Sequence, residues 1–151
     1  MRSFALLSTL IWVSTAYAES PKTSTSLEPT VVDLTQAPER QVPSGKARIK
    51  ILAQGQKAFV GQLWLAAGAS VPLHKDASEE YIYVVSGSGQ ITINGKASII
   101  GPGTMVFMPA HAEVSFKNGD SPLIAIQIFA GPESAKKYEK WAPNTTGREA
   151  P

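Results

Sequence analysis

The chain contains no cysteine, which excludes thiolate metal ligands, cysteine nucleophiles, disulfides and a lipid-modified cysteine. It has only two histidines, His74 and His111. A three-histidine site within one chain is therefore impossible, and any metal must be held by imidazole together with carboxylate. Charge is also sparse. Charged residues make up 17% of the chain, with 14 Lys and Arg against 12 Asp and Glu. No basic run exceeds Lys136-Lys137, so the electrostatic footprint of a nucleic-acid binder is missing. The low charge argues against a coiled coil, and a hydrophobic content of 43% argues against a disordered chain. A length of 151 residues accommodates one ordinary domain with tails.

What is present begins with a processing signal. Met-Arg-Ser opens the chain, an apolar stretch runs from Phe4 to Val13, and Ala16-Tyr17-Ala18 closes it with small residues at the two positions that matter. This order reads as a secretory signal peptide over residues 1–18, too short to span a bilayer as an anchor. The expectation is a periplasmic or secreted protein with no stable membrane anchor after cleavage. Residues 19–45 are polar and proline-bounded at their start and read as a flexible arm. A barrel is expected over residues 46–131, followed by a short helix and C-terminal tail over 132–151.

The middle of the chain is built from short runs separated by turn signals. Arg48–Ala53, Ala58–Leu65, Tyr81–Val85, Gln90–Ile93, Lys96–Ile100, Thr104–Met108, Val114–Lys117 and Leu123–Phe129 are rich in β-branched or aromatic residues. Alternation such as Ile91-Thr92-Ile93 is the period-two pattern of half-buried strands. Asn94-Gly95 between two such runs predicts a two-residue type I′ hairpin, because both positions then need positive φ. Evenly spaced short strands predict an all-β sandwich or small antiparallel barrel. Only Glu133–Trp141 reads as helical, with Ser134, Ala135, Tyr138 and Trp141 at roughly helical spacing.

The segment from Gly68 through His74, Asp76 and Glu80 to Gly87 resembles the first motif of the cupin superfamily, G-x5-H-x-H-x3-E-x6-G, with one ligand type changed. The stretch from Gly95 to Asn118, with Gly101-Pro102-Gly103 and Pro109, resembles the second motif. The resemblance covers roughly residues 60–130 and implies a single-domain cupin: a small antiparallel double-stranded β-helix, or jelly roll, with a central pocket. Independently of the family, His74 and Asp76 stand two apart on an extended chain and so share a face, which Glu80 reaches from the next strand. Imidazole and carboxylate donors in that mixture suit Mn, Fe, Ni or Zn.

The departures from the family pattern bear on function. The resemblance implies four ligands, yet Asp76 stands at the second histidine and Val114 at the last one, five residues after Pro109. Asp can ligate a metal; Val cannot. His111 is a weaker substitute, being on the opposite strand parity from Val114. Ile82, Val84, Val114 and Phe116 are expected to form an apolar pocket wall. Without metal, Asp76 and Glu80 would repel and favour a shared proton, unless Lys75 or a ligand cation neutralises them; on an ideal strand Lys75 points to solvent. Trp64, Tyr81 and Tyr83 read as core or dimer contacts rather than cavity lining.

Two functions compete at this stage. One is a small-molecule-binding cupin with a reduced His/Asp/Glu site. The other is a metal-dependent enzyme of oxygenase or isomerase type acting on a small polar substrate. By analogy with the family, a homodimer is a third expectation, with residues 31–53 able to supply an exchanged strand.

Overall fold

Asn94 and Gly95 both adopt positive φ, at 47° and 78°, and the strands that they join pair in the register of a two-residue hairpin, Ile93 opposite Lys96. In this computed structural model, residues 28–144 are described; the expected signal peptide lies outside them. The strands are β1 (Glu39–Gln41), β2 (Ala47–Gln54), β3 (Phe59–Leu65), β4 (Ser70–His74), β5 (Glu79–Ser86), β6 (Gly89–Ile93), β7 (Lys96–Ile100), β8 (Met105–Met108), β9 (Val114–Asn118), β10 (Leu123–Ala130) and β11 (Ala142–Pro143). They form a seven-stranded sheet in the order β11-β1-β2-β3-β10-β5-β8 and a four-stranded sheet in the order β4-β9-β6-β7. Every pairing is antiparallel.

Alternation decides what faces inward. On β5 the buried set is Glu80, Ile82 and Val84, and on β10 it is Leu123, Ala125, Gln127 and Phe129. The two sheets close over one apolar core that includes Leu65, Ile82, Val84, Ile91, Met108, Val114 and Phe116. A second core of Ile49, Phe59, Phe129, Ala135 and Tyr138 lies where the C-terminal segment packs on the larger sheet. Phe59 and Phe129 are fully buried there. Each contributes roughly 1.5–3 kcal/mol relative to exposure, so the C-terminal segment is fastened to the barrel.

That segment is a 3-10 helix, Ser134–Lys140. With three residues per turn, Ser134 and Lys137 lie one above the other, an alignment that an α-helical reading of the same residues does not give. Residues 39–45, read from sequence as arm, instead contribute β1 and two cavity-lining residues, Val42 and Ser44. Strands β1 and β2 pair with each other within the chain. Among the described residues, no helix is long and apolar enough to cross a membrane.

Two corners of the barrel have identifiable physical reasons. Gly87 has φ of 79°, and a Cβ there would lie 2.3 Å from the Pro122 carbonyl oxygen. Asn118 at the end of β9 is buried, and its Nδ2 donates to the carbonyls of Leu65, Ala66 and Ser121 at 3.3, 2.7 and 3.0 Å. It ties the end of β3 to the turn between β9 and β10.

Candidate functional site

The barrel encloses a cavity of about 500 Å³, within the size range of small-molecule sites. Much of its wall is hydrocarbon, including Leu63, Leu65, Ile91, Ile100 and Met108. Ile82, Val114 and Phe116 line it. Val84 does not: it is fully buried in the core behind the cavity wall.

Polar groups gather where β4, β5, β10 and the 3-10 helix meet. His74 ends β4, Asp76 follows in the connecting loop, and Glu80 opens β5 facing inward. One potential ligand atom from each lies within 4.8 Å of the other two, so the three form a group that could hold a metal ion. His74 Nε2 is 3.5 Å from Asp76 Oδ2, while its Nδ1 lies 2.9 Å from the Pro72 carbonyl oxygen. A proton on Nδ1 donated to that carbonyl leaves Nε2 facing the group, as a backbone acceptor does for a ligating histidine.

His111 is exposed, with φ of 65°, and its ring is not part of the group. Its backbone N–H instead donates to the Asp76 carbonyl at 2.7 Å, so the turn at His111 fixes the loop that carries Asp76. Lys75 points away, as alternation predicts, and pairs with Glu113 at 3.2 Å on the surface. Trp64 lies outside the cavity with Arg48 stacked on its ring at 3.8 Å. Tyr81 packs against Phe107 and Tyr83 is 42% exposed, both on the outer face of the large sheet.

Three residues of the site were not anticipated. Lys137 reaches in from the 3-10 helix, its Nζ 2.9 Å from Asp76 Oδ2 and 4.7 Å from the centre of the Phe129 ring. Gln127 donates from Nε2 to Glu80 Oε1 and accepts from the Tyr138 hydroxyl at Oε1. Gln127 was readable as a polar residue on the inward parity of an otherwise apolar strand. Lys137 was not, because its approach depends on the 3-10 winding.

The electrostatics follow from this arrangement. Hydrogen bonding to Asp76 raises the His74 pKa above its ordinary value, more than burial lowers it. Burial alone would raise Asp76, but the hydrogen bonds from His74 and Lys137 together hold it below the ordinary carboxylate range. Glu80, only 6% exposed, is raised by burial despite its hydrogen bond from Gln127. Tyr138 is raised well above a normal phenol, first by burial and then by the nearby Glu80 charge. One end of the cavity thus holds a compact, internally paired set of ionisable groups; the rest is mostly apolar, with Ser44, Lys46 and Ser70 as polar exceptions.

Residues 63–129 match the cupin domain family. The chain is 27% identical over 95 residues to mannose-1-phosphate guanylyltransferase of Klebsiella pneumoniae, a match covering 61% of this chain and 20% of that protein. It thus spans about a fifth of that relative's length. Among solved structures, a predicted oxalate decarboxylase from Thermotoga maritima is 26% identical with a TM-score of 0.61, covering 68% of this chain and 99% of that one. An RmlC-like cupin from Shewanella frigidimarina shares the fold at 18% identity and a TM-score of 0.64, covering 69% of this chain and 92% of that one. Over residues 63–129 this chain is thus similar to cupin domains in sequence, and its barrel is similar to the barrels of these solved structures.

Proposed function

We propose that this is an exported cupin that binds a small, largely apolar molecule bearing one polar end. The observation that carries this reading is the asymmetry of the cavity. About 500 Å³ is walled mainly by hydrocarbon, and His74, Glu80, Gln127 and Lys137 line its polar end. Apolar area supplies affinity in such a site, while a few placed polar groups fix orientation. Export rests on the signal pattern of residues 1–18.

A second reading, a metal-dependent enzyme of oxygenase or isomerase type, is favoured by the convergence of His74, Asp76 and Glu80 within 4.8 Å. It requires a divalent ion at that group.

The test of the first reading is titration of the full chain with the environment-sensitive fluorophore anilinonaphthalene sulfonate, alongside Leu63→Trp, which places a larger side chain against the cavity. Saturable binding of about one probe per chain, weakened at least tenfold by Leu63→Trp with the fold intact by circular dichroism, is expected. Absence of saturable binding, or binding indifferent to Leu63→Trp, would overturn the reading.

A further inference from the structure

We infer that Lys137 is the resident cation of the His74–Asp76–Glu80 group and excludes a divalent ion from it. Three donors at mutual ligand spacing look like an open metal site, but one is already taken. Lys137 Nζ sits 2.9 Å from Asp76 Oδ2, the distance of a charge-assisted hydrogen bond. A divalent ion bound by Asp76 would stand about 2.0–2.2 Å from its carboxylate oxygen, with an ammonium as its immediate neighbour. The two cations would repel at short range in a partly dehydrated site.

Lys137 is not a surface side chain that happens to lean inward. Its helix is held on both sides of it. Ser134 is hydrogen bonded to Ser78, which lies between Asp76 and Glu80 in the chain. Tyr138 is hydrogen bonded to Gln127, which itself holds Glu80. The Tyr138 ring packs against Phe59 and Trp141 at 5.6 and 4.9 Å. The ammonium also lies over the face of Phe129 at 4.7 Å, an attraction of the ring quadrupole for a cation. The fold therefore delivers one positive charge to the Asp76 carboxylate of the group.

Val114 points the same way. It faces the cavity as hydrocarbon directly across the ladder from His74, so the group lacks a fourth protein donor on that side. A site that has a fixed ammonium and has no ligand on β9 is neutralised from within.

The experiment is metal titration of the chelator-treated full chain, read by calorimetry with Mn²⁺ and by the visible absorption of Co²⁺, which reports coordination. Lys137→Met keeps the stem over Phe129 and removes the charge; Lys137→Gln is a second variant should Met disturb packing. Lys137→Arg keeps the charge. The inference expects weak or no binding by the unaltered chain and by Lys137→Arg. One ion per chain should bind at least tenfold more tightly to Lys137→Met or Lys137→Gln, and this gain should vanish when His74→Ala is added. Equal affinity of the unaltered chain and the Lys137 variants would overturn it, as would failure of every variant to bind. The inference does not depend on an apolar ligand, and probe binding measured on the same proteins separates the two.

Discussion

Val114 lies directly opposite His74 in the β4–β9 ladder, so a single cross-strand pair sets a candidate metal ligand beside a hydrocarbon side chain. Side chains at such a pair stand about 4.5–5.5 Å apart at Cβ, close enough for two imidazoles to share an ion. Val114→His should restore that possibility at a cost. A polar ring placed on the apolar wall without a partner lowers the stability of the metal-free protein by about 1–3 kcal/mol. With Lys137 retained, added Mn²⁺ should recover little of this loss. In the double variant Val114→His/Lys137→Met, metal should bind roughly tenfold or more tightly than in Lys137→Met alone, about 1.4 kcal/mol, and should raise the melting temperature as a bound ligand does. Calorimetry and thermal unfolding with and without metal check both parts.

The paired groups set a pH dependence. His74 has a raised pKa in the folded chain, so its stabilising contribution is full below the unfolded imidazole value of about 6.5 and is lost as pH rises through the folded value. Asp76 has a lowered pKa, so its contribution is full above the unfolded value of about 3.9 and is lost as pH falls through the folded value. The pair therefore stabilises the metal-free fold most between those limits. In Asp76→Asn, the His74 ring titration followed by NMR should move downward toward the ordinary value, and the loss of stability above about pH 6.5 should flatten. An unchanged His74 titration would show that Asp76 is not its main partner.

Much of the barrel was legible because strand periodicity and turn chemistry agree. Asn94-Gly95 has one backbone solution between two strands, and Lys96–Ile100 forms the strand read from sequence, with the same bounds. Spacing likewise placed His74, Asp76 and Glu80 on one group. Interactions between distant segments were not legible. Strand β1 lies in a polar stretch and is stabilised by pairing with β2 and β11, partners invisible to local pattern. Lys137 is 61 residues from Asp76, and its direction depends on whether the last helix winds with 3.6 or three residues per turn. Lys75, the chain neighbour, points to the surface as alternation predicts; the fold supplies the neutralising cation from the C-terminal helix.

Gln127 connects Glu80 to Tyr138, and both of its ends are used inside the protein. Gln127→Leu removes a donor and an acceptor together and leaves the Glu80 carboxyl and the Tyr138 hydroxyl without that partner. Leaving buried polar groups unsatisfied costs about 1–3 kcal/mol each, so chemical denaturation should show a loss of roughly 2–4 kcal/mol, part of it offset by the apolar replacement. Tyr138→Phe removes only the hydroxyl and should cost less, about 1–2 kcal/mol. If Gln127→Leu were neutral, the polar bridge would contribute nothing beyond shape.

Gly87 and Asn118 test the frame of the barrel away from the ionisable cluster, at the far end of β9 from the Val114–His74 pair. Alanine at Gly87 would adopt an unfavourable positive φ and also place its Cβ 2.3 Å from the Pro122 oxygen. Backbone strain of this kind costs about 1–3 kcal/mol before any clash is relieved. Asn118→Ala removes the side-chain donor to the carbonyls of Leu65, Ala66 and Ser121, for a loss of about 1–2 kcal/mol. Asn118→Asp should be the worse of the two Asn118 substitutions. It replaces the donating amide with a carboxylate facing the same carbonyl oxygens, in a position only 3% exposed, where an unpaired charge is costly. Denaturant melts of the three variants, with anilinonaphthalene sulfonate binding measured on the folded fraction, separate a fault in the frame from a fault in the cavity. Reduced stability with unchanged probe affinity is expected, because neither residue lines the cavity.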